Sequence, residues 1–166
     1  MIEYKPFAAF GTVVILVSAE AGDTSAVTLG HDGFVMSGYY YITAGKAEST
    51  LTKTGEILED RTPGWLNTEH ELSNATTDGE LSTHFPEYTE WLCIPSHKNK
   101  YGLPNLTSLS IKTNDEKILT NGTNLYLVRG TLSINNKVFI GPKQIRIRSG
   151  DVTATASEDC YSLIFK

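Results

Sequence analysis

Leu125-Tyr126-Leu127-Val128-Arg129-Gly130 runs into Thr131-Leu132-Ser133-Ile134-Asn135-Asn136-Lys137. Gln144-Ile145-Arg146-Ile147-Arg148-Ser149-Gly150-Asp151, Val152-Thr153-Ala154-Thr155-Ala156 and Tyr161-Ser162-Leu163-Ile164-Phe165 complete the stretch. Its reading decides the fold. Ile145 and Ile147 alternate with Gln144, Arg146 and Arg148, the period of a strand with one buried and one solvated face. Asn135-Asn136 and Gly150-Asp151 supply turn chemistry between such runs. The segment reads as an antiparallel sheet, and no histidine occurs in it.

Working outward, Val13-Val14-Ile15-Leu16-Val17 is β-branched and bounded by Gly11 and Gly22-Asp23, which predicts a buried strand over about 10–18. Further strands are expected at 26–29 and 34–44, punctuated by Gly30-His31-Asp32-Gly33 and Gly45. Tyr39-Tyr40-Tyr41-Ile42-Thr43 is aromatic and β-branched on both faces, so this strand is buried on both sides or faces a partner. Residues 46–60 predict a hairpin around Gly55. Asn67 to Phe85 is polar and aperiodic, a long loop with at most a turn or two of helix over 66–90. Such loops are often functional or subunit-contacting. Strand character returns from Tyr88 to Pro95, and the C-terminal sheet begins with Leu109 to Leu119.

The expected organisation is a single β domain over 1–166, with N-terminal strands to residue 60, a long loop over 61–90 and the jelly-roll core over 91–166. Tyr40-Tyr41-Ile42-Thr43-Ala44-Gly45 echoes Leu125-Tyr126-Leu127-Val128-Arg129-Gly130, and both end at a glycine. The echo is too short to establish a duplication.

A chain of 166 residues, 40% hydrophobic and 20% charged, is long enough to bury a core without disulfides or metals. A net charge of −5 argues against nucleic acid or an anionic membrane surface as the main partner. Arg146 and Arg148 read as a solvated strand face. Ala8 to Val17 followed by Ala19-Glu20-Ala21 imitates a signal-peptide pattern. Only Lys5 is basic before it, and Glu3 offsets that charge, so no signal peptide is expected. The run is also too short to span a bilayer. Asn74, Asn105 and Asn121 head Asn-x-Thr triplets, which arise by chance in a chain so rich in both residues. Cys93 and Cys160 sit in apolar runs and read as free buried thiols, with a single bridge between them left open.

The C-terminal layout is a strand ending at Gly130, a hairpin, a strand, Gly150-Asp151 and two further strands. It resembles the cupin family. The resemblance implies an all-β, cupin-like jelly-roll barrel or sandwich with additional N-terminal strands and one long polar loop. It also locates the family's metal motifs. With Gly130 as the glycine closing the first, Thr123 takes the glutamate position and Lys117 to Asn121 fills the His-x-His window. In the second motif, the histidine position falls on Tyr161 or a neighbour. Threonine, asparagine and tyrosine do not supply the converging imidazole, thiolate or carboxylate lone pairs that a transition metal needs. No metal and no other cofactor is therefore expected. Upstream, Gly64 is followed by His70, but Leu72 stands where the second histidine belongs. Glu69, Glu71, Glu80 and His84 read as scattered surface residues, and His31 and His97 as exposed.

No Gly-x-Ser-x-Gly elbow, P-loop or Gly-x-Gly-x-x-Gly occurs. Glu59-Asp60 and Glu158-Asp159 are adjacent pairs, which strands direct to opposite faces. The chain does not read as an enzyme. Trp65 in its Pro-Gly turn, Trp91, Tyr39 and Tyr41 are the candidate interface or binding residues, because aromatics at loop edges stack on sugars or anchor interfaces.

Small acidic jelly rolls without catalytic residues resemble the decoration, tail and accessory proteins of tailed bacteriophages. That likeness implies a non-enzymatic virion component, assembled in the host bacterial cytoplasm. Its partners would be copies of itself in a homo-oligomer and other virion proteins, with no nucleic acid and no membrane. The alternative is a metal-free cupin-like module that binds a carbohydrate or small molecule. A cupin-type isomerase or dioxygenase is the third reading.

Overall fold

The computed structural model describes residues 2–28, 38–51, 57–66 and 80–166. The chain divides into two compact units, Met1–Ala8 with Thr12–Leu103 and Ala9–Gly11 with Pro104–Lys166.

β1 (Glu3–Ala9) turns into β2 (Thr12–Ala19) through Phe10 and Gly11, and apart from Ala9 both strands belong to the first unit. Phe10 and Gly11 have positive φ, 49° and 75°, the handedness that lets a two-residue hairpin follow the strand twist. Then come β3 (Thr24–Thr28), β4 (Gly38–Ala44), β5 (Ala47–Leu51), β6 (Ile57–Arg61), β7 (Glu80–His84) and β8 (Thr89–Pro95). They form two four-stranded sheets, ordered β1-β2-β8-β4 and β3-β7-β5-β6. A single 3₁₀ turn, Ser96–Lys98, follows β8. Asn99 ties it back to β2: its Oδ1 accepts from Val13 N at 2.8 Å and its Nδ2 donates to Pro95 O at 2.8 Å.

The second unit contains β9 (Leu106–Ile111), β10 (Glu116–Leu119), β11 (Asn124–Arg129), β12 (Thr131–Ile134), β13 (Lys137–Ile140), β14 (Lys143–Arg146), β15 (Val152–Ala156) and β16 (Cys160–Phe165). Its sheets are ordered β14-β11-β16-β9 and β10-β15-β12-β13. Eight consecutive strands shared out this way make a double Greek-key jelly roll. Asn135 and Asn136 turn β12 into β13 with positive φ at both, 51° and 63°. Ile145 and Ile147 are buried while Gln144, Arg146 and Arg148 are exposed, as their alternation demands. Arg146 lies over the Phe10 ring at 5.2 Å, and Arg148 donates to Asn124 Oδ1 at 2.9 Å.

The strand order of the second unit recurs in the first. There β2, β8 and β4 stand where β9, β16 and β11 stand, and β3-β7-β5-β6 repeats β10-β15-β12-β13. Leu66 bridges Tyr41, as β14 pairs with β11. The Tyr40–Gly45 and Leu125–Gly130 echo falls on equivalent positions. A register shift lies between Ile42 and Ala44 in one unit and between Leu127 and Arg129 in the other, just before each glycine. Gly45 and Gly130 have φ of +78° and +108°. A Cβ on either would press into the last strand, 2.7 Å from Thr89 Cα or 2.8 Å from Cys160 Cα.

Three expectations change. The residues expected as additional N-terminal strands form, with β7 and β8, a jelly-roll arrangement of their own. Thr89–Pro95 pairs with β2 and β4 and so belongs with that unit rather than with a core over 91–166, because a jelly roll seats its last strand between its first and third. Glu80–His84, expected within the long loop, is β7, paired with β3 and β5. Residues 67–79, the rest of that loop, lie outside the described residues. Among the described residues no helix is long and apolar enough to cross a membrane.

Candidate functional site

The two jelly rolls fill their interiors differently. In the second, Leu125, Leu127, Leu132, Ile134, Ile145 and Ala154 form a closed apolar cluster, with Phe139 and Ile164 packed against it. Register gives four of them a counterpart in the first unit. Leu125 pairs with Ile164 as Tyr40 pairs with Cys93, and Leu132 pairs with Phe139 as Ala47 pairs with Arg61. Leucine, isoleucine and phenylalanine are thus replaced by tyrosine, cysteine and arginine.

Arg61, at the end of β6, is only 7% exposed, and its guanidinium carbon stands 4.8 Å from the centroid of the Trp65 ring. Trp65 is held beside β4 by a main-chain hydrogen bond from Ile42 N to its carbonyl at 3.0 Å. A side-chain hydrogen bond joins Tyr40 to Cys93. Burial pushes the Tyr40 phenol well above its ordinary value, Cys93 adds to the rise, and the Arg61 charge opposes it. Burial also raises the Cys93 thiol to about 11 against the pull of its bond to Tyr40. Both groups are neutral at physiological pH, so Arg61 supplies the charge of this trio. The set offers N–H and O–H donors, a cation and an aromatic face. Such groups hold an oxyanion or a polar ligand rather than a metal cation.

Thr89 and Cys160 occupy matching places. Thr89 Oγ1 lies 2.9 Å from both Lys46 O and Glu87 O, while Cys160 Sγ lies 3.3 Å from Thr131 O and 3.2 Å from Glu158 O. A hydroxyl in one unit and a thiol in the other tie the same two main-chain segments together, which assigns Cys160 a structural task. Both cysteines are free and buried.

The residues singled out from sequence are not gathered at one place. Trp65 is half-buried against Arg61. Trp91 stacks on Phe85 with centroids 5.2 Å apart and joins the Ala19–Ala47–Phe85 cluster. Tyr39 and Tyr41 are buried and alternate with Tyr40 along β4, on the opposite face. Thr123 lies before β11, its hydroxyl 3.2 Å from that of Thr120. Tyr161 alternates with the core residue Cys160 and so lies on the outer face of β16, away from the apolar cluster. Tyr161 itself therefore does not face the interior, whereas its neighbour Cys160 does. His84 is exposed on β7; His31, Glu69, His70 and Glu71 lie outside the described residues. Among the described residues no group of three or more His, Cys, Asp or Glu is assembled as metal ligands would be. Arg61, Tyr40 and Cys93 were not identified from sequence. The signal that could have found them is the echo itself, with Tyr40 standing where the other copy has Leu125.

No protein-family model matches the chain, and no curated protein matches it. Solved structures do. The chain is similar to HutD from Pseudomonas fluorescens SBW25, at a TM-score of 0.52 and 12% identity over 99% of this chain and 88% of that one. It is similar also to a conserved protein of unknown function from Pseudomonas aeruginosa PAO1, at a TM-score of 0.50 and 10% identity over 98% and 86%. A cupin 2 conserved barrel domain protein from Leptotrichia buccalis aligns at 0.43 and 11% over 100% and 89%.

With the strand order described above, the fold class is an all-β, cupin-like jelly roll. At 12% and 10% identity, the likeness to the first two of these structures establishes the fold and nothing of the activity. No bacteriophage protein is among these three, and the virion reading gains no support from them.

Proposed function

We propose that the chain is a cupin-like binding module that holds a small molecule inside its first jelly roll. The observation that carries this reading is the contrast between the two interiors. One is closed by Leu125, Phe139 and Ile164; the other places Tyr40, Arg61 and Cys93 at the same three positions. Withdrawing a guanidinium from water costs several kcal/mol, and packing alone does not call for one where phenylalanine serves in the sister unit. Polar groups kept inside a jelly roll, with an aromatic ring beside them, match the few convergent polar groups on an apolar lining that mark a ligand site. The second unit, filled with apolar side chains, is the scaffold.

The test fills the first interior with the residues of the second. Tyr40→Leu, Arg61→Phe and Cys93→Ile are introduced together, and parent and variant are screened against a small-molecule and sugar library by ligand-induced thermal shift. The expected result is that ligands stabilising the parent no longer stabilise the variant, while its far-ultraviolet circular dichroism stays that of a β protein. A variant that folds and responds to the same ligands by the same shifts would place binding elsewhere.

A further inference from the structure

We infer that β13 is a docking edge for a second copy of this chain. The two copies join by antiparallel pairing of β13 with β13, about a two-fold axis at Phe139. This holds whether or not the first unit takes a ligand.

β13 (Lys137–Ile140) ends the sheet β10-β15-β12-β13, so among the described residues one of its edges has no neighbouring strand. The phase of its pairing with β12 decides which main-chain groups face that edge. Gly141 N donates to Gly130 O at 2.9 Å, and the two-residue turn at Asn135 and Asn136 closes the other end. Hydrogen-bonded and non-hydrogen-bonded pairs alternate along an antiparallel ladder, so Thr131–Ile140 and Ser133–Val138 are non-hydrogen-bonded. The N–H and C=O groups of Val138 and Ile140 therefore point away from β12. Their side chains are 63% and 67% exposed.

The other edges of this unit are guarded. β10 exposes Glu116 and Lys117, β14 exposes Lys143 and Arg146, and β9 exposes Thr107, Ser108 and Ser110. Charged or polar side chains on an edge strand oppose the addition of a further strand. β13 instead carries two exposed β-branched apolar residues. Lys137 marks its turn end, and Pro142, which has no N–H, follows just beyond the other. The opening fits a strand as short as β13 itself.

A second β13 matches it pair by pair. With the axis at Phe139, Val138 opposes the partner's Ile140, and Ile140 opposes the partner's Val138. Each pair exchanges two main-chain hydrogen bonds, so every outward-facing group of Val138 and Ile140 is satisfied. Valine set against isoleucine is the kind of cross-strand pair that stabilises a ladder. Lys137 opposes the partner's Gly141, and the two lysines lie about 14 Å apart along the strands, beyond the screening length of about 8–10 Å. No like charges are opposed. Moving the axis to Val138 would set Ile140 against the turn residue Asn136, and moving it to Ile140 would set Val138 against Pro142. The two-fold closes the assembly at a dimer.

The test is sedimentation velocity of the full chain from about 10 µM to 1 mM, with amide exchange read by NMR at both ends of that range. The contact is smaller than the roughly 800 Å² per partner of stable complexes, so the dimer should be weak, with a dissociation constant on the order of 0.1 mM. The Val138 and Ile140 amides should exchange fast when dilute and slowly when concentrated. The Phe139 amide, already bonded to β12, should be protected at both. Val138→Lys sets a charge against the partner's Ile140 twice over and should weaken association by at least about tenfold. Ile140→Lys repeats the comparison if that variant does not fold. Ile118→Lys, at a residue 72% exposed on the far edge strand β10, should leave association within about twofold.

A monomer at every concentration, growth past the dimer, or association unchanged by both β13 variants would overturn the inference. So would an equal loss in Ile118→Lys, which would mark general apolar adhesion. A monomer whose Val138 and Ile140 amides become protected only by a synthetic peptide of alternating valine and threonine would replace the second copy by a foreign strand.

Discussion

Replacing Gly130 by alanine should cost far more stability than the same change at Gly122, although both glycines sit in the second unit with similar backbones. Their φ values are +108° and +92°, so alanine at either carries the left-handed strain of about 1–2 kcal/mol. Alanine also removes freedom from the unfolded chain, which returns about 0.4–1 kcal/mol. At Gly122 nothing lies within 4 Å of the added Cβ, so the net cost should be about 0–1.6 kcal/mol.

At Gly130 the Cβ would sit 2.8 Å from Cys160 Cα and 2.9 Å from its Sγ, with the Asp159 carbonyl oxygen closer still. Two of these contacts are main chain and cannot swing aside; β16 must move away from β11, breaking the pairing at Arg129–Tyr161. Forcing atoms into a packed site typically adds about 1–3 kcal/mol. Gly130→Ala should therefore lose about 2–4 kcal/mol in urea titrations followed by far-ultraviolet circular dichroism. In a melt this corresponds to a fall of roughly 4–16 °C. The Gly130→Ala and Gly122→Ala difference isolates the close approach from the strain. If the two variants agree within about 0.5 kcal/mol, the usual agreement of independent sites, the close packing of the bulge on the last strand is refuted. Gly45→Ala should repeat the Gly130 result in the first unit, read by the fluorescence of Trp65 and Trp91.

Other perturbations have equally definite outcomes. Burial holds the Cys93 thiol at about 11, above its ordinary value of 9, so the folded state keeps its proton longer than the unfolded state does. The stability this confers is complete below pH 9 and is lost as pH rises towards 11, by an amount on the order of 2 kcal/mol. Denaturant titrations across that window should fall less steeply in Cys93→Ala, and an unchanged slope would remove Cys93 as the cause. In the native protein at neutral pH, both cysteines should react slowly with a thiol reagent and rapidly once unfolded, because burial raises both thiols. Fast labelling of either in the folded state would contradict their burial. Leu132→Ala, at a fully buried position of the second interior, should cost about 2–5 kcal/mol, and a loss under 1 kcal/mol by urea titration would show that the core there is not closed.

The sequence by itself determined the strands of the second unit. Ile145 and Ile147, the Asn135-Asn136 turn and the Gly150 break act through the alternation of side chains and the torsions of a few residues, which are local properties. It also marked Cys93 and Cys160 as buried, because both stand in apolar runs. Tertiary structure alone decided that Glu80–His84 is a strand. Its pattern is polar, and what holds it is pairing with β3 and β5, which are distant in sequence. The placing of Thr89–Pro95 between β2 and β4 was decided in the same way.

The candidate site belongs to this second class. Arg61 looks like one surface cation among several until register pairs it with Ala47 and sets it where the sister unit has Phe139. Tyr40 is one tyrosine of three until alternation separates it from Tyr39 and Tyr41 and pairing places it against Cys93. A sequence records which residues a strand carries. Which face is inside, and what meets it there, is fixed only when strands far apart in the chain pair.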